Sequence, residues 1–290
     1  MSKSISCGIL LGRNEEDSTM PPRIRPVLYG ALPFELLRMR LGLPIRTGKT
    51  KRDCPRIAMP LQRLKRTFAE LGAFEASLYL FANLLARISR GRCRLIRYYI
   101  VAQPVASAPA HALRPSPSNP VRMIGREDAA VAQFPRPKTV LARRFDDGGL
   151  CFVAESKGRF AGFLWISHRQ YEEDEVRCRF DLHPPERCVW DYDVYVEPDF
   201  RVGRTFARLW DAANAYLTAQ GVRWSLSRIS AFNPVSLAAH QRLGIRKLAS
   251  ATFIVTGRVQ LSLFTTPPFV HLGWNDDMRP QLPVRAPSDD

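Results

Sequence analysis

Residues 188–244 constrain the fold most, because strand and helix patterns alternate there twice without interruption. Residues 188–196 are predicted to form a β-strand that ends before Pro198, because residues 190–196 place alternate side chains on two different faces. Residues 201–220 space their apolar side chains as a helix does, and residues 222–232 have the composition of a second strand. A strand–helix–strand unit makes a right-handed crossover between parallel neighbours, so a ligand site is expected where these strands end.

The remaining patterns extend this unit into a larger mixed sheet. Asn233-Pro234 begins a helix, with Asn as N-cap and Pro at the first helical position, and Gly244 ends it. Further strands are predicted at 95–105, 150–156, 160–167, 247–255 and 258–264, and short helices at 127–133 and 138–145.

The N-terminal third of the chain is strongly basic. The whole chain has a formal net charge of +16, and residues 1–92 hold 17 Lys/Arg against 7 Asp/Glu. We expect residues 1–60 to form a loosely ordered, Pro- and Arg-rich extension and residues 61–92 to form an amphipathic helical segment with one apolar stripe. Such an extension favours anionic partners, although an Arg-rich solvated surface would have the same composition.

Cysteine usage and hydropathy favour a reduced, cytoplasmic protein. The six cysteines are scattered and form no C-x-x-C pair, so neither a disulfide framework nor a metal site is expected. The charged residues after Leu11 argue against a signal peptide, and the longest apolar run, 76–88, is too short to span a bilayer.

Two motifs carry a family resemblance. Residues 196–201, Val-Glu-Pro-Asp-Phe-Arg, connect a strand to a helix, and Asn233, Ser236, His240 and Gly244 follow the spacing N-x-x-[AS]-x-x-x-[YH]-x-x-x-G. In this order and separation they resemble the acyl-CoA-binding motifs of the GNAT acyltransferases. The resemblance implies a domain at 93–266, followed by a C-terminal tail at 267–290. Its fold would be α/β (α+β): a mixed, mostly antiparallel sheet with helices on both faces and a splayed parallel strand pair.

The resemblance also implies a donor site. A helix N-terminus binds pyrophosphate through its free N–H groups and its dipole, and arginines add charge. The residues expected to bind the donor are Tyr195, Val196, Arg201, Val202, Gly203, Arg204, Asn233 and Ser236. The family usually has small residues at the positions of Arg204 and Phe206, whereas this chain has its glycine at Gly203.

Four residues are candidates for proton transfer. His240 stands where the family usually has a tyrosine that protonates the departing thiolate, and histidine can do this at neutral pH. Asp191 and Asp193 are alternate residues predicted on one strand face, either as a base or as a structural ion pair, for instance with Arg228. Glu173 belongs to an acidic run, 172–175, which would either attract a cationic amine or remain solvated.

Three functions remain open at this point. The first is an N-acyltransferase that moves an acetyl or longer acyl group from acyl-CoA to a small amine by direct attack. The second performs the same chemistry with an acidic acyl carrier protein as donor, which would suit the basic extension and the departure at Arg204 and Phe206. The third is an inactive GNAT-like module that contacts nucleic acid or a membrane through its basic arm; the absence of a nucleic-acid-binding motif disfavours nucleic acid.

Overall fold

The computed structural model describes residues 61–105, 116–241 and 243–288. The predicted extension at 1–60, Arg242 and most of the predicted loop at 106–120 lie outside these residues. The helices described are α1 (Leu61–Leu71), α2 (Ala73–Ile88), α3 (Lys138–Asp146), α4 (Thr205–Ala219) and α5 (Pro234–Gln241), with 3₁₀ turns at Ala129–Gln133 and Pro198–Phe200.

Twelve strands are described in these ranges. They are β1 (Cys93–Pro104), β2 (Val121–Ile124), β3 (Leu150–Ser156), β4 (Arg159–His168), β5 (Gln170–Glu172), β6 (Arg179–His183), β7 (Cys188–Val196), β8 (Trp224–Ser230), β9 (Arg246–Thr256), β10 (Val259–Phe264), β11 (Val270–Gly273) and β12 (Gln281–Arg285). The large sheet has the order β11-β10-β9-β1-β8-β7-β4-β3-β2, and a small sheet has the order β12-β6-β5. The large sheet is antiparallel except for β7 and β8, so the predicted fold class is confirmed.

The N-terminal strand β1 occupies a central position in the large sheet. It lies between β8 and β9 and pairs antiparallel with both of them along most of its length. Tyr98, Ile100 and Ala102 of this strand are buried in the main core. The strand therefore belongs to the sheet itself. Tyr99 and Val101, which point to its other face, line the cavity beside α5.

Helix α4 covers part of one face of the large sheet. Leu209, Ala213 and Leu217 of this helix are fully buried in one cluster with Leu164 and Ile166 of β4. These are the positions that helical spacing predicts, because i, i+4 and i+8 lie on one side of a helix. Truncating one of these leucines to alanine costs about 2–5 kcal/mol in a packed core. This packing holds the N-terminus of α4 at the end of β7.

The opposite face is covered by the small sheet and by α3. Phe180 of β6 stacks on Trp190 of β7, with ring centroids 4.4 Å apart. Leu141 of α3 is buried in a second cluster with Trp165 of β4. Both faces of β7 are therefore covered, as expected for a strand at the centre of an α/β layer structure.

The N-terminal helical segment differs from its prediction as a single stripe. It forms two helices, because Gly72 between them adopts the left-handed conformation with φ 78°. Helix α2 packs on β1 through Glu75 and Ala76, which are buried. Glu75 accepts hydrogen bonds from Arg97 Nε at 2.9 Å and from the Tyr99 hydroxyl at 2.6 Å.

Residues 267–290, expected as a tail, contain two strands. β11 extends the edge of the large sheet, and β12 pairs in parallel with β6. Leu282 and Val284 alternate with exposed residues on β12 and are buried in the main core. Two apolar side chains in a five-residue strand give too short a pattern to predict, and the partner strand lies about a hundred residues earlier in the chain.

Candidate active site

Strands β7 and β8 separate towards their C-terminal ends. They pair in parallel only through Cys188, Val189 and Trp190, opposite Trp224, Ser225 and Leu226. Residues 191–196 of β7 do not pair with residues 227–230 of β8. Over these residues β7 still pairs with β4, and β8 still pairs with β1. The predicted parallel, splayed pair is therefore confirmed. The opening begins at Asp191, between the helices α4 and α5 that follow the two strands.

A β-bulge at Tyr192 corrects the prediction that Asp191 and Asp193 share one face of β7. Asp191 is opposite Ile166 and Asp193 is opposite Trp165, so Tyr192 is an extra residue between them. Because Ile166 and Trp165 are adjacent residues on β4, the two carboxylates point to opposite faces of the sheet.

Asp191 lies on the face of the sheet that carries α4 and α5. Its Oδ2 accepts a hydrogen bond from Ser225 Oγ at 2.7 Å. Burial raises the pKa of Asp191 to about 6, while the Ser225 hydrogen bond and the nearby His240 act in the opposite direction. A carboxyl group with a pKa near 6 can exchange a proton close to neutral pH.

His240 is held on α5 by a contact within its own helix. Its Nδ1 lies 2.7 Å from the Ser236 carbonyl oxygen, and the Ser236 hydroxyl is 3.4 Å away. An Nδ1 proton donated to that carbonyl leaves Nε2 as the nitrogen that can exchange a proton with a ligand. A cavity of about 270 Å³ borders the same helix, lined by Tyr99, Val101, Leu237, Gln241, Ile245 and Lys247.

Asp193 forms buried ion pairs on the opposite face. Arg136 donates to it at 2.7 and 2.8 Å, and Arg144 Nη1 donates at 2.6 Å. The Arg144 guanidinium also lies over the Trp165 and Tyr192 rings. Asp193 therefore forms a structural ion pair, as one of the two alternatives predicted. Its partners are Arg136 and Arg144, so the prediction of Arg228 as the partner is wrong.

Arginines and a tyrosine hydroxyl engage the acidic run 172–175. The partners are Arg279 for Glu172, Arg228 for Glu173, Arg143 and Arg144 for Asp174, and the Tyr98 hydroxyl for Glu175. Glu173 is the most enclosed, since its side chain is fully buried against Arg228. The Glu173 carboxylate therefore forms a buried ion pair with Arg228 and is not exposed to a substrate in an open site.

The segment after β7 forms the expected turn into a helix. Arg201 Nε donates to the Val196 carbonyl oxygen at 3.1 Å, which ties the turn to the end of the strand. Arg204 precedes α4 and is exposed, with no side-chain capping bond at that helix start. In the described part of the chain, the N–H groups of Thr205, Phe206 and Ala207 have no backbone acceptor.

The other expected donor residues differ in exposure. Val202 is 78% exposed beside Gly203, whereas Val196 is buried under α4. Tyr195 stacks on Phe163 with centroids 5.5 Å apart.

At the start of α5, the Asn233 side chain acts as the N-cap. Its Oδ1 accepts a hydrogen bond from the Ser236 backbone N–H at 3.0 Å, and the Ser236 side chain is buried. The N-cap predicted from the sequence is therefore confirmed. With Oδ1 engaged, the Asn233 side-chain amide nitrogen is the group left to donate to a ligand.

Sequence reasoning missed two groups around Asp191. Ser225 and Ser227 alternate on β8; Ser225 donates a hydrogen bond to the Asp191 carboxylate, and Ser227 also lowers the pKa of Asp191. Their alternation within 222–232 was the available signal, because buried polar residues on one strand face need partners. Lys247 was also missed; its Nζ lies 3.2 Å from the centre of the Tyr99 ring at the wall of the cavity.

One segment of the chain matches a known protein family. Residues 120–245 match the model of the acetyltransferase (GNAT) family. No curated protein sequence matches the chain.

Among solved structures, a conserved Staphylococcus epidermidis protein of unknown function is 10% identical, with a TM-score of 0.41 and coverage of 60% of this chain and 66% of that protein. A Novosphingobium aromaticivorans protein assigned to the GNAT family is 20% identical, with a TM-score of 0.36 and coverage of 55% and 65%. This chain therefore covers slightly less than two thirds of the length of the Staphylococcus protein and of the Novosphingobium protein. An aminoglycoside N-acetyltransferase in complex with CoA is 23% identical, with a TM-score of 0.33 and coverage of 44% and 92%.

The family match and the fold agree on the class of one segment of the chain. The matched segment contains β2 to β8, α3, α4 and α5, and therefore the bulged strand, the parallel pair and both helices that border the opening. Residues 120–245 are a GNAT acetyltransferase domain.

Proposed function

We propose that the protein is an N-acyltransferase that moves an acyl group from acyl-CoA to a small amine. The observation that carries the proposal is the opening between β7 and β8, which leads to a helix start with free N–H groups at Thr205, Phe206 and Ala207. Such a helix start attracts the pyrophosphate of CoA, and the exposed Arg204 adds a positive charge beside it. The pantetheine arm would then lie in the opening and bring the thioester to Asp191.

The proposed reaction needs two proton transfers. The amine nitrogen attacks the thioester carbonyl carbon, an N–C bond forms, and the C–S bond then breaks. Asp191, ionised above its pKa of about 6, accepts the amine proton, directly or through one water. His240 in its protonated form gives a proton from Nε2 to the departing thiolate. A proton passed from Asp191 to His240 restores both groups for the next cycle.

An acyl carrier protein as donor is a second candidate, and Phe206 favours it. The Phe206 side chain packs with the core of α4, with its ring 6.4 Å from that of Trp210, where the family usually has a small residue. A bulky residue there limits how closely phosphate can approach the backbone. A carrier-bound phosphopantetheine has one phosphate rather than the pyrophosphate and nucleotide of CoA, so it needs less of this loop.

A thiol-release assay tests the proposal. The full chain would be incubated with acetyl-CoA, a long-chain acyl-CoA or an acylated carrier protein, together with a panel of amines. Thiol release that depends on the amine, with the amide found by mass spectrometry, is expected for one of these donors. Absence of release from both acyl-CoA donors by a folded protein would contradict the proposal, and release from the acylated carrier protein alone would favour the second candidate.

A further inference from the structure

The outer side of α2 carries large apolar side chains in contact with solvent. Phe74, Phe81, Leu84 and Ile88 follow helical spacing and are 64%, 50%, 54% and 73% exposed, respectively. A stripe of this kind on a folded protein indicates a surface that something else covers.

The helix cannot bury this stripe by turning towards its own sheet. Glu75 and Ala76 on the other side of α2 are buried against β1, and Glu75 is held by Arg97 and Tyr99. Tyr79 also contacts the Phe232 ring, with centroids 5.6 Å apart. The inner side of α2 therefore already has partners in the protein. Of the stripe, Phe74 has the Arg97 guanidinium over its ring at 5.3 Å, and its outer part remains open to solvent.

A second group of exposed apolar side chains lies on the sheet face that carries α2. Thr252 of β9 accepts a hydrogen bond from Arg97 beneath α2. On the neighbouring strands, Leu263 of β10 lies opposite Thr252, and Val270 of β11 lies opposite Leu263. Leu263 and Val270 therefore lie on the sheet face that carries α2, and both are exposed. The described chain has fifteen exposed large apolar residues. Six of them lie in α1 and α2, and six lie in β10, in β11 or next to β11.

Positive charge surrounds the helical part of this surface. Residues 61–92 contain the exposed basic residues Arg63, Lys65, Arg66, Arg87, Arg90 and Arg92. The acidic residues in the same segment are Glu70, which pairs with Arg66, and Glu75, which is buried against Arg97. Within the described chain, Arg87, Arg90 and Arg92 pair with no acidic side chain. Exposed aromatic and aliphatic side chains flanked by such arginines match the headgroup region of an anionic lipid bilayer.

We propose that the outer side of α2, together with the flanking basic residues, docks on anionic lipid membranes. The apolar side chains enter the boundary between headgroups and acyl chains, and the arginines contact lipid phosphates. The helix lies in the plane of the membrane surface. This docking does not depend on the transfer reaction, so either proposal can fail alone.

Liposome flotation of the full chain tests the docking. The protein would be mixed with vesicles of phosphatidylcholine alone or of equal parts phosphatidylcholine and phosphatidylglycerol. It is expected to float with the anionic vesicles only, and added salt should reduce the bound fraction. The double variant Phe81→Ser/Ile88→Ser should bind at least about tenfold more weakly, because two inserted side chains are lost.

Matched variants separate this surface from the basic residues 1–60 and from overall charge. Met123→Ser replaces an exposed apolar residue on β2, and Lys138→Gln/Lys157→Gln removes two charges elsewhere; both should float as the wild type does. Arg87→Gln/Arg92→Gln should weaken binding. The proposal is overturned if the wild type does not float, or if Phe81→Ser/Ile88→Ser floats equally well. It is also overturned if light scattering shows a dimer that the double variant breaks, because the surface would then join two copies.

Discussion

The surroundings of the Asp191 carboxyl group raise its pKa towards neutral pH. Burial raises its pKa to about 6, above the ordinary value near 4. The fold therefore binds this proton more tightly than the unfolded chain does, and the contribution to stability decreases as pH rises from about 4 to about 6. Above pH 6 the carboxylate is ionised and can accept a proton.

A pH profile of kcat/KM tests the role of Asp191. If the carboxylate accepts the amine proton, kcat/KM should rise about tenfold per pH unit below pH 6 and then level off. Asp191→Asn should lower the plateau about 100-fold or more and remove the inflection near pH 6. An unchanged profile in that variant would assign the inflection to another group.

His240 is expected to act only as the thiolate leaves. Replacing it with phenylalanine should lower kcat about 100-fold or more while the donor KM changes little, because the proposed interaction is made in the transition state. Steady-state kinetics with a saturating amine would measure both constants. A variant with full turnover would make His240 a packing residue of α5.

Among the structural elements, β12 connects the C-terminal segment to the core. Leu282 is buried in the cluster that contains Phe180 and Trp190. Leu282→Ala should lower the free energy of unfolding by about 2–4 kcal/mol, measured by urea denaturation, because the cavity left behind cannot close fully. Gln281→Ala, at an exposed position on the same strand, is the control and should change stability by less than about 0.5 kcal/mol. Equal stability of both variants would mean that β12 is not part of the core.

Elements with long periodic patterns could be predicted from the sequence, and elements defined by distant partners could not. β7 has the predicted bounds, and α4 has the predicted buried positions, because local periodicity determines both. β5, β6 and β12 are three to five residues long and acquire their role only by pairing with each other. The position of β1 between β8 and β9 likewise depends on contacts made more than a hundred residues away.

The same distinction holds in the candidate site. His240 and Asn233 could be found because their motif lies within one helix and its cap. The bulge at Tyr192 could not be predicted, since it arises from the pairing of β7 with β4, and it changes which face Asp193 occupies. The ion-pair partner of Glu173 could not be predicted either, because Arg228 lies 55 residues later in the sequence.

For the whole molecule, the central claim is that the opening between β7 and β8, with the N-terminus of α4, binds a CoA thioester. Isothermal titration of CoA into the full chain tests this claim most directly. We expect one site per chain. Arg204→Glu should weaken its affinity about tenfold or more, because an exposed positive charge beside the pyrophosphate becomes negative. Lys138→Glu makes the same change of charge on α3 and should leave the affinity within about twofold, since long-range effects are screened. Absence of CoA binding by the folded wild type, or equal weakening by both variants, would contradict the claim.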